Sequence, residues 1–315
     1  MQQLVVTVSI PGLDFSYERF CNFVPILTRG SSEPTTVDNL NPLIHRVLTH
    51  YPGSTIFGVG GHSILVSISD DLAVKVSYRA GGEHIRHEQS IFKLLEGQAC
   101  PYIVHSYFSA PDLIFMELVK NGRLYERMEQ VDKPRPILTW MQQLSEAAVA
   151  LEEVGYAHGD INPQNILFDE QDRLRLVDFD HALKVGEEVE VGVEPYVRHR
   201  YVNYGVAGPD TEQFALGSIF WFMTRGTEMY ADIDGVQKVN RLSRCIFPEV
   251  DSADPIDVII SDCWQGKFES MAELAKRIRQ VAFDKSAEEK KKACEQHYSS
   301  VLPWTSSPVY IFIEL

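Results

Sequence analysis

Three side chains with oxygen to offer stand in one stretch of this 315-residue sequence: Asp160, Asn165 and Asp178. The stretch reads His158-Gly159-Asp160-Ile161-Asn162-Pro163-Gln164-Asn165-Ile166-Leu167-Phe168, with Asp178-Phe179-Asp180 further on. Asp160 precedes Asn165 by five positions and Asp178 by eighteen. The stretches 165–168 and 174–177, apolar apart from Asn165 and Arg175, flank the polar turn 169–172, which predicts two short strands. A hairpin there brings Asn165 and Asp178 to one end of the strands. Together they would offer two hard oxygen ligands to Mg²⁺, an ion suited to phosphate chemistry. Asp160, on the loop before, could orient a hydroxyl and take its proton. A lone Asp-x4-Asn carries no weight, whereas the ordered set with flanking strands is specific.

The elements around this set fall into two halves. Thr55 to Gly58 leads into glycines, then Ile64 to Ser69, the turn Asp70-Asp71, and Leu72 to Val76, which reads as strand, turn, strand, turn, strand. Ile91, Leu94 and Leu95 predict a helix over 87–95, and Ile103-Val104 and 113–116 predict two more strands. After Asn121-Gly122 the pattern turns helical. Met141, Leu144, Ala148 and Leu151 mark one helix face, and Gly155 stands at its C-terminal end. Ser270 to Glu273 forms a capping-box pattern before the apolar stripe Met271, Leu274, Ile278 and Val281, which reads as core. Residues 286–297, with Lys290, Lys291 and Lys292, read as a charged, solvated helix. The expected fold class is α+β and bilobal: a small antiparallel-sheet N-lobe with one helix, a larger helical C-lobe, and a cleft at the junction.

Composition bounds what the cleft can serve. The net charge is −15, with 44% apolar and 23% charged residues, which is ordinary globular composition. The acidic balance argues against nucleic acid as a partner. Met1 to Ile10 is apolar but short and reads as a strand or arm, not a signal peptide, and residues 31–36 look like a loop. No segment offers the roughly 18 uninterrupted apolar residues of a membrane span, and the apolar tail 309–315 is expected to dock as a strand. Five cysteines without CxxC spacing (Cys21, Cys100, Cys245, Cys263, Cys294) argue against a disulfide framework or a zinc site. They point to a reducing compartment, the cytoplasm first and the nucleus second.

These residues resemble the protein-kinase-like superfamily, whose catalytic loop reads H-R-D-L-x-x-x-N with a D-F-G metal motif beyond it. The resemblance covers about residues 54–282, giving a kinase-like domain at 51–282 (N-lobe 51–118, C-lobe 119–282) between an extension at 1–50 and a helical tail at 283–315. It implies an enzyme that moves the γ-phosphoryl group of ATP, with Mg²⁺, to a serine or threonine hydroxyl of a protein substrate. By that likeness Asp160 is the catalytic base, Asn162 takes the place of a phosphate-steadying lysine, and Asn165 and Asp178 hold the metal. Leu72-Ala73-Val74-Lys75 resembles V-A-I-K, so Lys75 would position the α- and β-phosphates, tethered by Glu88, with Glu83 as the rival. Gly58, Gly60 and Gly61 resemble the glycine-rich phosphate cover, with Ser63 where a third glycine is usual. Residues 113–119 resemble the hinge, with Met116 behind the adenine and the backbones of Glu117 and Val119 along its edge. Downstream, 192–198 resembles the segment that shapes a protein-substrate site, 211–218 the central helix with Glu212 for its usual Asp, and Asp262-Cys263-Trp264 the late helices.

The departures keep other readings open. Gly159 stands where an Arg usually pairs with a loop phosphate, and residues 181–196 contain no Ser or Thr, so switching by Ser/Thr phosphorylation of that loop is not expected. Asn162 lacks the charge of the lysine it replaces. Asp180 replaces a glycine and either binds magnesium or faces solvent. Arg198-His199-Arg200 stands for A-P-E, so the usual ion pair beneath the substrate site is expected to be missing. The strings HGD and DFD also occur in aminoglycoside- and choline-type phosphotransferases. The alternatives are therefore a small-molecule kinase and a pseudokinase scaffold with little or no turnover.

Overall fold

The computed structural model describes residues 40–301 except 52, 201 and 202. The expectations for residues 1–10, 31–36 and 309–315 lie outside these residues. The described chain begins with α1 (Pro42–His50), whose first turn is capped by Asn41, its side chain accepting the Leu43 N–H at 3.0 Å. Three strands follow, β1 (Thr55–Val59), β2 (Ser63–Ser67) and β3 (Leu72–Ser77), then α2 (Glu83–Leu95), β4 (Ser106–Ala110) and β5 (Leu113–Glu117). The five strands form one antiparallel sheet in the order β1-β2-β3-β5-β4.

Strand alternation explains how this sheet serves two faces. Val74 and Val76 of β3 pack with Ile44, Val47 and Leu48 of α1 on one face. Ala73 and Lys75 point to the other, toward α2 and the cleft. The segment 1–50, read as an extension without pattern, thus gives the N-lobe a second helix; its short apolar set becomes meaningful only against the sheet. The strand expected at Ile103-Val104 is instead a single bridge from Ile103 to Leu176, and the fourth strand lies at Ser106–Ala110. That edge strand exposes Tyr107 and Phe108, so it lacks the buried alternation that marks a strand in sequence.

The second half holds α3 (Leu124–Glu129), α4 (Ile137–Glu153), and the short strands β6 (Tyr156–Ala157), β7 (Ile166–Phe168), β8 (Leu174–Leu176) and β9 (Leu183–Lys184). Then come α5 (Pro209–Arg225), α6 (Gly235–Ser243), α7 (Pro255–Trp264) and α8 (Met271–Val301). β7 and β8 form the expected hairpin, paired Ile166↔Leu176 through Phe168↔Leu174. The stripe Met141, Leu144, Ala148 and Leu151 is fully buried, as are Leu274 and Ile278. Ser270 Oγ accepts the Glu273 N–H at 3.1 Å, and α8 then runs without a break past residue 282, joining the core stripe to the charged stretch. The architecture is bilobal, a sheet-built lobe followed by a helical one. Among the described residues no helix is long and apolar enough to cross a membrane.

Candidate active site

A cavity of about 390 Å³ lies where the lobes meet. β3 supplies Lys75, whose inward register sets Leu65 of β2 beside it. α2 supplies Glu88, fully buried on the apolar face shared with Ile85, Ile91 and Phe92. The Lys75 Nζ lies 2.6 Å from Glu88 Oε2 and 2.6 Å from Asp178 Oδ1. Glu83, the rival, is exposed at the start of α2. Burial alone would lower the Lys75 ammonium, but Asp178 and Glu88 outweigh it and hold its pKa above the usual lysine value. Burial pushes the Glu88 carboxyl up to about 7 against the opposing pull of Lys75. Asp178 shows the reverse balance, its burial penalty being overcome by the charge and hydrogen bond of Lys75, so its carboxyl sits below the ordinary range.

Backbone geometry splits Asp178 from Phe179. Asp178 adopts a left-handed conformation, φ 72° and ψ 70°, which an aspartate tolerates better than most residues. Its carboxylate faces Lys75 and the cavity, while Phe179 is buried between Phe92 of α2 and the His158 ring, with centroids 5.4 and 5.2 Å away. The Phe179 N–H donates to Glu88 Oε1 at 3.3 Å, so one carboxylate serves both the lysine and the backbone beyond Asp178.

The loop from His158 to Asn165 is held from below. Glu212 of α5 accepts the N–H groups of His158 and Gly159 at 2.8 and 3.2 Å. Glutamate here does what two buried amides require, and burial raises its carboxyl above the ordinary range even so. His158 donates from Nε2 to the Val177 carbonyl at 3.0 Å and accepts the Asp160 N–H at Nδ1 at 3.3 Å. Gly159 has φ +76°, and a Cβ there would lie 2.7 Å from the His181 carbonyl oxygen. Its glycine is therefore a backbone requirement of this loop, a reason the missing phosphate partner did not suggest.

Asp160 is surrounded by amides. Asn162 Nδ2 donates to Asp160 Oδ1 at 2.9 Å, and Asn165 Nδ2 donates to Oδ2 at 3.0 Å. Burial raises the Asp160 carboxyl, and His158 and the Asn162 hydrogen bond pull part of the way back. Asn162 is itself buried, its Oδ1 taken by the Gln164 N–H at 2.9 Å. It thus braces Asp160. With Nδ2 committed to Asp160, Asn165 has its amide oxygen left to present, and both Asn165 and Asp178 line the cavity. One lysine among the Glu88 and Asp178 carboxylates leaves surplus negative charge, so the donor set fits a hard divalent cation.

Gly58, Gly60, Glu117 and Val119 also line the cavity. Gly61 stands in the turn beyond the lining, with nothing near its Cβ position. Glu117 spends its N–H on the His105 carbonyl at 2.8 Å, leaving its own carbonyl for a cavity ligand. Sequence reasoning missed Arg123 and Gln164, joined at 2.6 Å, and the apolar walls Leu65, Val104 and Leu167. Leu167 could have been found by alternation, because its neighbours Ile166 and Phe168 are both core. Arg123 had no such signal.

On the far side of the loop, Arg198 is buried and pairs with Asp210 at 2.9 Å, and Arg200 reaches the same carboxylate at 2.6 Å. Both cations of the Arg198-His199-Arg200 stretch are thus tied to one carboxylate at the start of α5. Tyr196, the one hydroxyl residue in 181–196, is buried and donates to Glu228 at 2.9 Å.

Comparison with known proteins gives the family. Residues 67–289 match the family model described as the protein kinase domain. The chain is 28% identical over 263 residues to Mitogen-activated protein kinase kinase kinase 1 of Arabidopsis thaliana, covering 75% of this chain and 42% of the relative. It is 26% identical over 229 residues to SNF1-related protein kinase catalytic subunit alpha KIN12 of the same plant, covering 64% and 44%. A third match, Serine/threonine-protein kinase MRCK alpha of Homo sapiens, is 28% identical over 143 residues, covering 42% of this chain and 8% of that one. The chain thus spans less than half the length of each of these relatives.

Proposed function

This chain belongs to the protein kinase family, and on that premise we propose that it transfers the γ-phosphoryl group of ATP to a Ser or Thr hydroxyl of a protein. The observation that carries the reading is the Lys75 ammonium held 2.6 Å from both Glu88 and Asp178 at the edge of a cavity large enough for a nucleotide. A kinase named for serine and threonine among the relatives supports the choice of hydroxyl.

In this reading Lys75, aimed by Glu88, binds the α- and β-phosphates. Gly58 and Gly60 let the backbone close over them and exclude water. The Glu117 carbonyl and the Val119 backbone orient the adenine edge, with Met116 behind it. Asn165 and Asp178 would hold Mg²⁺ through oxygen, and the ion would supply charge neutralisation for the phosphates. Asp160 orients the substrate hydroxyl and accepts its proton at a carboxylate oxygen, and Asn162 keeps that carboxylate in place. Positioning and electrostatics carry such a reaction, so the missing lysine charge at Asn162 costs rate without removing the machinery. Because the only hydroxyl of residues 181–196 is buried, phosphorylation of that loop does not switch the enzyme.

The test is incubation of the full chain with labelled Mg-ATP, a protein mixture and, separately, small hydroxyl compounds. Label should enter protein Ser/Thr and fall at least about 100-fold in Asp160→Asn and Asp178→Ala. Label confined to small molecules, or no transfer together with no nucleotide uptake in calorimetry, would overturn the reading.

A further inference from the structure

A second cluster of ligating side chains stands beside the cleft and plays no part in the reaction above. His62 lies in the turn between β1 and β2, His84 in the first turn of α2, and Asp180 and His181 in the 3-10 turn after Asp178. One ligand atom from each of the four falls within 4.8 Å of all the others. The His62 and His84 rings are stacked, with centroids 3.5 Å apart and planes 4° apart, and the His181 ring sits at 5.5 Å from His84. Asp180 does not line the cavity, which settles its direction: its carboxylate belongs with the histidines. Its side chain is nine-tenths buried and its Oδ1 has no hydrogen-bond partner among the described residues. The His181 Nε2 at 3.9 Å is too far to donate to it.

A buried carboxylate oxygen left unpaired is costly, and a cation among three imidazoles would satisfy it. We propose that His62, His84, Asp180 and His181 bind a zinc-type divalent ion that pins the glycine-rich turn to α2 and to the segment after Asp178. Three nitrogens and one oxygen suit zinc or its borderline neighbours and not magnesium, which takes oxygen ligands in an octahedron. A tetrahedral zinc with ligands at about 2.0–2.1 Å places them roughly 3.3 Å from one another, so binding must draw the ligands in and turn the stacked His62 and His84 rings apart. The ion is separate from the one assigned to Asn165 and Asp178, and its site stands whether or not the chain turns over ATP. The three elements it joins are the cover, the tether of Lys75 and the start of the loop, so its binding would hold the cavity in one closed arrangement.

The experiment uses the untagged full chain with Cys21, Cys100, Cys245 and Cys294 changed to Ser, so that thiols other than the buried Cys263 take no metal. After chelator stripping, Zn²⁺ is titrated against a chromophoric competitor. One zinc per chain is expected, with affinity falling at least about tenfold in each of His62→Ala and His84→Ala. His62 is exposed in its turn, so its variant tests the site without endangering the core. Amide hydrogen exchange at residues 60–62 should slow with zinc in the parent and not in His62→Ala. No zinc uptake above that of a His62→Ala/His84→Ala double variant would overturn the site. Bound zinc with unchanged exchange at 60–62 would overturn the pinning.

Discussion

In the cleft between the lobes, Lys75, Glu88 and Asp178 come from three distant elements and are held by one another's charge. Elsewhere, the catalytic-loop and 181–200 segments are anchored by hydrogen bonds and ion pairs to α5 and the turn after it. Glu212 accepts two backbone amides, Arg198 pairs with Asp210, and Tyr196 donates to Glu228. The contrast is physical. A buried ammonium between two carboxylates admits few substitutes, because any neutral residue leaves uncompensated charge in a low-dielectric site. A loop anchored by hydrogen bonds and half-exposed ion pairs can exchange donor for acceptor and sign for sign, provided each buried group stays paired.

The largest effect that could break this contrast is at Lys75. Lys75→Met should abolish transfer and cost about 3–5 kcal/mol of stability in urea titration, because Glu88 and Asp178 then face each other unpaired. Stability unchanged from the parent would show that the charges are not mutually dependent. Next comes Gly159→Arg, which restores the family's usual residue. With φ +76° and the His181 carbonyl 2.7 Å from any Cβ, it should lose about 1–3 kcal/mol and gain no activity. A gain would mean that the loop can be repaired one residue at a time.

Tyr196→Phe removes one hydroxyl from the bond to Glu228 and should cost about 1 kcal/mol in thermal unfolding, leaving turnover close to the parent's. Phosphate found at Tyr196 in active protein by mass spectrometry would contradict its burial. The smallest effect belongs to Asn162→Ala. Removing a donor from the Asp160 carboxylate raises that group's pKa further above its ordinary value, so the acid limb of the pH–rate profile should move to higher pH. A limb that stays in place, with a lower rate at all pH values, would assign Asn162 to the phosphates instead of to Asp160.

Much of this site is legible as a string of letters, for identifiable reasons. Asp160, Asn165 and Asp178 lie within one loop and one hairpin, where spacing dictates proximity, and Lys75 interrupts an apolar strand that has no other use for a charge. Helix faces such as Met141 to Leu151 declare themselves by period. Illegible were α1 as part of the small lobe, the exposed edge strand Ser106–Ala110, and Arg123 beside Gln164, since none has a local pattern that requires it.

Residue order alone determined which groups were present to do chemistry and the two-part division of elements that carries them. Only the packed chain decided between Glu88 and Glu83, turned Asn162 onto Asp160, and separated Asp178, facing lysine, from Asp180, facing three histidines two positions later. The reason is that a side chain's charge state and partner depend on what distant segments bring within a few ångströms of it. Sequence distance does not record that separation when the joining elements, here β3, α2 and the hairpin, are folded against one another.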